Sequence, residues 1–227
     1  MNKINLDDPA IYPKCDPDGM LGRIKELPWQ CRQAWQGIMG FDLPAGYKDV
    51  DRVVILGMGG SAIGGDLVRS LAGAESSIPV IVHRDYGLPA FVNERTLVIG
   101  SSYSGNTEET LSAFEPAIQT KAKKLAITTG GRLKEMAEAN NIPVFTIEYK
   151  AQPRAALGFS FLPTLGVLQK LGFLRDKTAD VEETVKVLEG LSATLDESSP
   201  EAQNPAKQLA RRLYGKLPVV YGAGIAA

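Results

Sequence analysis

Apolar positions change rhythm twice along this chain. Between residues 18 and 41, Leu21, Ile24, Leu27, Cys31, Ala34, Trp35 and Ile38 recur at helical spacing. Pro28 is placed to open a second helix rather than to break a single one, because its fixed φ suits a first helical turn. Tyr12 and Pro13 read as an extended lead-in. From residue 52 the apolar residues become contiguous. RVVILG, IPVIVH, TLVIG, KLAIT and IPVFTIE are short runs that end near Gly, Ser, Thr or a charged residue, and stretches of helical period separate them. Uninterrupted apolar strands alternating with helices predict an α/β fold: a doubly wound, parallel, five-stranded sheet flanked by helices on both faces.

After residue 150 the pattern turns helical. The segment 155–174, AALGFSFLPTLGVLQKLGFL, is about as long as a membrane span. Gln169, Lys170 and a central Pro163 interrupt it, so it predicts a buried, kinked helix. Segments 175–201 and 204–216 read as exposed amphipathic helices. Near the end, VVYGAG at 219–224 repeats the pattern of VILGMG at 54–59. A repeat that starts at residue 217 predicts the first strand of a second, similar domain; the alternative is a last strand of the same sheet. The expected organisation is an N-terminal helical segment at 1–45, a first domain at 46–175, connecting helices at 176–216, and the start of a second domain at 217–227.

Charge changes this picture little. The 227 residues carry 25 basic and 26 acidic side chains, a net charge of −1, which gives no electrostatic reason to expect nucleic acid or an anionic membrane as partner. Cys15 and Cys31 are far apart without CxxC spacing, which argues against a zinc site or a disulfide framework and fits reduced thiols in a cytoplasmic protein. The N-terminal MNKINLDDPAIYPK has no apolar core of a secretory signal.

Two strand ends carry the candidate chemistry. Gly57-Met58-Gly59-Gly60-Ser61-Ala62 follows the first strand. Its glycines let backbone N–H groups approach an anion at a helix N-terminus, and Ser61 is placed to cap that helix and to donate to a ligand. The same residues also match the G-x-G-x-x-A dinucleotide fingerprint, with Asp85 roughly 20 residues on. Ser101-Ser102-Tyr103-Ser104-Gly105-Asn106-Thr107 follows the third strand, with Asn106 or Thr107 as helix cap and Glu109 as the reciprocal acid of a capping box. Buried without partners, so many hydroxyls would be costly. Ser102, Ser104 and Thr107 with free backbone donors suit the oxygens of a phosphate monoester, whereas a dinucleotide fold does not need this second cluster.

GMGGSAIGG, SYSGNTEET and QPRAAL, in that order, resemble the sugar isomerase (SIS) family, in particular its bifunctional phosphoglucose/phosphomannose isomerase branch. The likeness runs from about residue 20 to the end. The resemblance implies aldose–ketose isomerisation of hexose 6-phosphates through an enediolate, without cofactor or metal, in a cytoplasmic homodimer. It implies that Gly59, Gly60 and Ser61 line the sugar site. Ser102, Ser104 and Thr107 would hold the phosphate, and Arg154 of Gln152-Pro153-Arg154 would stabilise the enediolate oxygen. It also implies that the base glutamate, the ring-opening histidine and a catalytic lysine belong to a second SIS domain, at motif positions absent from these 227 residues. The lone histidine, His83, is then an exposed loop residue, and Glu148 at the end of the fifth strand is a distant candidate for a base. Ile225 and Ala226 stand where a second phosphate turn would need Gly and Ser. A phosphosugar-sensing module without chemistry and a nicotinamide-dependent oxidoreductase are the competing readings.

Overall fold

The computed structural model describes residues 4–222. Five strands form one parallel sheet: β1 (Arg52–Leu56), β2 (Val80–His83), β3 (Thr96–Ser101), β4 (Lys123–Thr128) and β5 (Val144–Thr146), in the order β2-β1-β3-β4-β5. This is the doubly wound sheet that the contiguous apolar runs predict. Its order is that of the flavodoxin-like type, not the 3-2-1-4-5-6 order of dinucleotide folds. Winding reverses between β1 and β3, so the loops after those two strands diverge over a crevice at the sheet's carboxyl edge.

Alternation along each strand sends side chains to two cores. Val53, Ile55, Leu97, Ile99, Leu125 and Ile127 face one side. There they meet α3 (Leu27–Met39), α4 (Gly59–Glu75), α7 (Leu157–Lys170) and α8 (Thr178–Leu195). Val54, Leu56, Val98 and Ala126 face the other side, against α5 (Glu108–Ile118) and α6 (Gly131–Ala139). Burial on both faces is why the strands are apolar without interruption.

The segment 155–174 is the buried helix α7, with Pro163 inside it. Among the described residues no helix is long and apolar enough to cross a membrane. Gly64 and Gly166 let α7 approach its neighbours: a Cβ on Gly64 would stand 2.3 Å from the Ser160 carbonyl oxygen, and one on Gly166 2.4 Å from Ile38. Lys170 closes the α3–α7 pair, its Nζ donating to the carbonyls of Ile38, Met39 and Phe41 at the end of α3.

Several local expectations are corrected. Tyr12 and Pro13 open a short helix, α1 (Tyr12–Cys15), because Pro13 sits in its first turn, where a missing N–H costs nothing. Ile24 is exposed: α2 (Met20–Lys25) and α3 are separate helices around Glu26, so the apolar stripe loses phase there. His83 is the half-buried last residue of β2, and its Nε2–H donates to the Gly87 carbonyl at 2.8 Å. Residues 217–222 form no strand of this sheet or of another; Leu217, Val219, Val220 and Tyr221 are exposed. A β-branched run becomes a strand only with a partner edge to pair with. Residues 223–227, which hold most of the second glycine turn, lie outside the described residues. The two late amphipathic helices are α8 and α9 (Pro205–Leu213).

Candidate functional site

The first loop is built by close backbone approach. A Cβ on Gly57 would stand 2.9 Å from the Ser101 carbonyl oxygen, so this glycine lets the ends of β1 and β3 come together. Gly59 has φ +49°, a left-handed conformation that favours glycine, and opens α4 directly. Ser61 therefore falls inside the first turn of α4, and the N-cap is Met58, without a side-chain cap. The Ser61 hydroxyl instead accepts the Tyr103 N–H at 3.2 Å, which binds the first loop to the second.

The second loop is built by hydroxyls. Ser102 is buried, and its Oγ accepts the Gly105 N–H at 3.1 Å and lies 2.9 Å from Thr107 Oγ1. Ser104 is exposed and its Oγ accepts the Asn106 N–H at 3.2 Å. Gly105 has φ +69°, and a Cβ there would stand 1.8 Å from the Gly130 carbonyl oxygen.

The expected caps are only half present. Thr107 is the N-cap residue of α5, but its side chain turns to Ser102 rather than to the helix. Asn106 is drawn away: its Oδ1 accepts the Arg132 N–H at 3.1 Å, at the start of α6. No capping box joins Asn106 to Glu109, because the Asn106 N–H is taken by Ser104. The first N–H groups of α5 thus have no side-chain cap among the described residues, and they stand beside the Ser104 and Thr107 hydroxyls. Such N–H groups at a helix end are donors suited to an anion. Glu108 is exposed and accepts the Tyr86 hydroxyl at 3.3 Å. The Glu109 and Glu108 charges, with burial, push the Tyr86 phenol up.

Hydroxyl hydrogens follow from this bonding. Ser61 and Ser104 each accept a backbone N–H, which leaves their own O–H to donate elsewhere. If Ser102 donates to Thr107, the Thr107 O–H is likewise left to donate elsewhere. Ser102 then serves the loop's shape, and the Ser61, Ser104 and Thr107 hydroxyls keep a donor that these loop bonds do not use.

Arg154 lies in a 3₁₀ turn, Pro153–Ala155, just before α7. That turn packs on the first loop: a Cβ on Gly60 would stand 3.1 Å from the Pro153 carbonyl oxygen and 3.7 Å from Arg154 Cα. Arg154 is exposed and has no hydrogen bond or ion pair among the described residues. Gly59, Gly60, Ser61, Ser102, Ser104, Thr107 and Arg154, from three separate stretches of sequence, are therefore collected at one edge of the sheet.

Two residues that sequence reasoning missed hold this collection together. Tyr103 ties the hydroxyl loop to residues 149–151, and the fully buried Gln30 donates from Nε2 to the Ala155 carbonyl at 2.8 Å. Tyr103 stands inside the motif, but nothing in its spacing says where its hydroxyl goes; Gln30 sits on a helical stripe that predicts an apolar residue. Glu148 lies two residues beyond the end of β5, exposed, at the rim of a cavity of about 410 Å³ that Tyr103, Thr129 and Lys150 also line. A larger cavity, about 500 Å³, lies away from these loops between α4, α7 and α8; Leu67, Leu71, Leu162 and Leu165 make its walls apolar.

No family model matches the chain. Curated relatives do. It is 49% identical over 203 residues to a bifunctional phosphoglucose/phosphomannose isomerase of Caldicellulosiruptor bescii, covering 89% of this chain and 60% of the relative. It is 40% identical over 173 residues to the same-named protein of Thermoplasma acidophilum, covering 75% of this chain and 49% of the relative. It is also 28% identical over 196 residues to a D-glucosamine-6-phosphate 4-epimerase of Sulfolobus acidocaldarius, covering 86% of this chain and 58% of the relative. The chain thus spans about half to three fifths of the length of these relatives. Among solved structures, the fold is shared with a hypothetical protein of Thermus thermophilus, at TM-score 0.60 and 24% identity, over 92% of this chain and 51% of that one. It is shared with tagatose-6-phosphate ketose/aldose isomerase of Escherichia coli, at TM-score 0.53 and 18% identity, over 75% and 52%. The architecture is that of the SIS phosphosugar isomerases. With fold, motifs and relatives in agreement, the chain belongs to the bifunctional phosphoglucose/phosphomannose isomerase family.

Proposed function

We propose that this chain holds the phosphate and sugar in an enzyme that interconverts glucose 6-phosphate and mannose 6-phosphate with fructose 6-phosphate. The observation that carries the reading is the pairing of two loops at the β1/β3 switch point, with hydroxyls that accept from the loops and keep a donor to spare beside a helix end that no side chain caps. The relatives support it in a second way. Proteins named for isomerisation and for 4-epimerisation share a phosphosugar but not the bond chemistry. A grip on phosphate is a need that both named activities share, which supports placing it in this common region.

Ser104, Thr107, Ser61 and the N–H groups of α5 hold the phosphate in this reading, and Ser102 shapes the loop around it. Gly59 and Gly60 keep the floor of the sugar site flat. The reaction moves a proton from C2 to C1 through an enediolate, and Arg154 offers a fixed positive charge to the oxygen on which negative charge develops. The base belongs to the same proposal, and a second SIS domain is expected to supply it. A cytoplasmic homodimer is part of it too, supported by two free cysteines and by exposed Ile63 and Leu67 on α4.

Titration calorimetry with fructose 6-phosphate tests the phosphate assignment. Replacing Ser104 and Thr107 together by Ala is expected to cost about 3 kcal/mol of binding, roughly two charge-assisted hydrogen bonds, with the fold retained. Unchanged affinity in the double variant would remove these residues from the site.

A further inference from the structure

The turn that carries Arg154 is held from both sides. Upstream, the Tyr103 hydroxyl accepts the Ala151 N–H at 2.8 Å and donates to the Tyr149 carbonyl. Downstream, Gln30 Nε2 donates to the Ala155 carbonyl at 2.8 Å and to the Tyr149 hydroxyl at 3.1 Å. Tyr149 in turn donates to Glu26 at 2.6 Å and stacks on Phe159 with ring centroids 5.3 Å apart. Burial and the Glu26 hydrogen bond keep the Tyr149 phenol protonated, above its ordinary range.

The upstream clamp differs in kind from the downstream one. Gln30 and Tyr149 belong to the packed body of the protein. Tyr103 belongs to the hydroxyl loop itself, between Ser102 and Ser104. Its backbone N–H reaches Ser61 in the first loop, and its carbonyl accepts both the N–H and the hydroxyl of Thr129, at 3.1 and 2.7 Å. One residue thus touches both loops at its backbone and the approach to Arg154 at its side chain. Anything that fixes the hydroxyl loop also fixes residues 149–151, three residues short of the guanidinium.

We propose that Tyr103 is a positioning residue that couples occupancy of the hydroxyl loop to the placement of Arg154. The coupling makes a hexose phosphate, with its phosphate on the loop and its reacting carbons at Arg154, a better ligand than phosphate alone. This inference rests on the phosphate assignment made above and adds to it the specificity for a phosphate that bears a sugar.

The test is a double-mutant cycle on this chain with two probes, fructose 6-phosphate and inorganic phosphate. Tyr103→Phe keeps the ring and removes only the hydroxyl. It is expected to weaken fructose 6-phosphate about tenfold while inorganic phosphate stays within about twofold. Arg154→Ala should weaken fructose 6-phosphate at least as much, and adding Tyr103→Phe to it should cost little more, because the link then has nothing to place. NMR of the Arg154 Nε–H gives a second readout: inorganic phosphate shifts that resonance in the parent chain and leaves it in place in Tyr103→Phe. Equal losses for both probes, additive losses in the cycle, or an Arg154 shift that survives Tyr103→Phe would each make the hydroxyl merely structural and overturn the inference alone. A parent chain that binds neither probe would overturn the phosphate assignment and this inference with it.

Discussion

The loops after β1 and β3 occupy equivalent places in the fold but are built by different means. The first is rich in glycine and draws its shape from backbone packed on backbone: Gly57 on Ser101, Gly60 on Pro153, Gly64 on Ser160. The second relies on side-chain hydroxyls that satisfy its own N–H groups, and it spends one glycine at the point of closest approach to Gly130. Close packing fixes a loop's shape and, apart from the Ser61 hydroxyl, offers a ligand few side-chain groups. A hydroxyl network leaves spare hydrogens, and with them a binding surface. The first loop therefore acts as a platform and the second as a grip.

The largest effect expected from this contrast is at Gly105. A methyl group there meets a backbone oxygen at 1.8 Å and needs φ +69°, so Gly105→Ala should lose about 3 kcal/mol or more in denaturant unfolding. An unchanged midpoint would show that the loop is loose enough to give way. Ser102→Ala comes next. It removes one of the two acceptors of the Gly105 N–H, which also reaches the Ser102 carbonyl at 3.1 Å, and the partner of Thr107, and about 1 kcal/mol of stability should go with it in the same assay. Retained stability would mean that the other hydroxyls suffice to shape the loop.

Gly60→Ala should be milder, because Pro153 stands 3.1 Å away and need yield only a few tenths of an ångström. The expected cost is below about 1 kcal/mol of stability, with a fructose 6-phosphate affinity that falls as the Arg154 turn is pushed back. A loss as large as that of Gly105→Ala would erase the distinction between platform and grip. A control lies outside both loops. Burial pushes the Cys31 thiol up from 9.0 to about 11. The unfolded chain gives up that proton more readily, so the stability contributed below pH 9 is lost as pH rises through 11. Comparing parent and Cys31→Ala unfolding between about pH 8 and about pH 10.5 should show this loss, and neither loop variant should alter it. At about pH 8, alkylation should reach the exposed Cys15 and spare Cys31.

Much of this was legible because local chemistry and tertiary position agree. The runs RVVIL and TLVIGS are strands of a sheet covered on both faces, and their composition says so. The glycine turn and the serine loop announce themselves by residue type. What stayed hidden depends on which segments meet. Thr107 has the right residue type for a cap, yet its hydroxyl goes to Ser102. Asn106 could have capped its own helix, but the start of α6 lies close enough to take it. The apolar run at 217–222 has strand composition but pairs with no strand among the described residues. Tyr103 and Gln30 are long side chains whose partners lie 46 to 125 residues away, beyond the reach of any periodicity.

The sheet order also says when the site can exist. β1 pairs with β2 on one side and with β3 on the other, Arg52 lying against Thr96. A growing chain that has made only β1, α4 and β2 can complete a local βαβ unit, but it has one loop of the pair and no crevice. The crevice arises when β3 crosses back over β2 to take the inner edge of β1, a closure of more than forty residues. The crevice therefore depends on this non-local pairing, and, on the function proposed above, a phosphosugar present during synthesis would favour the chain that has made the crossing.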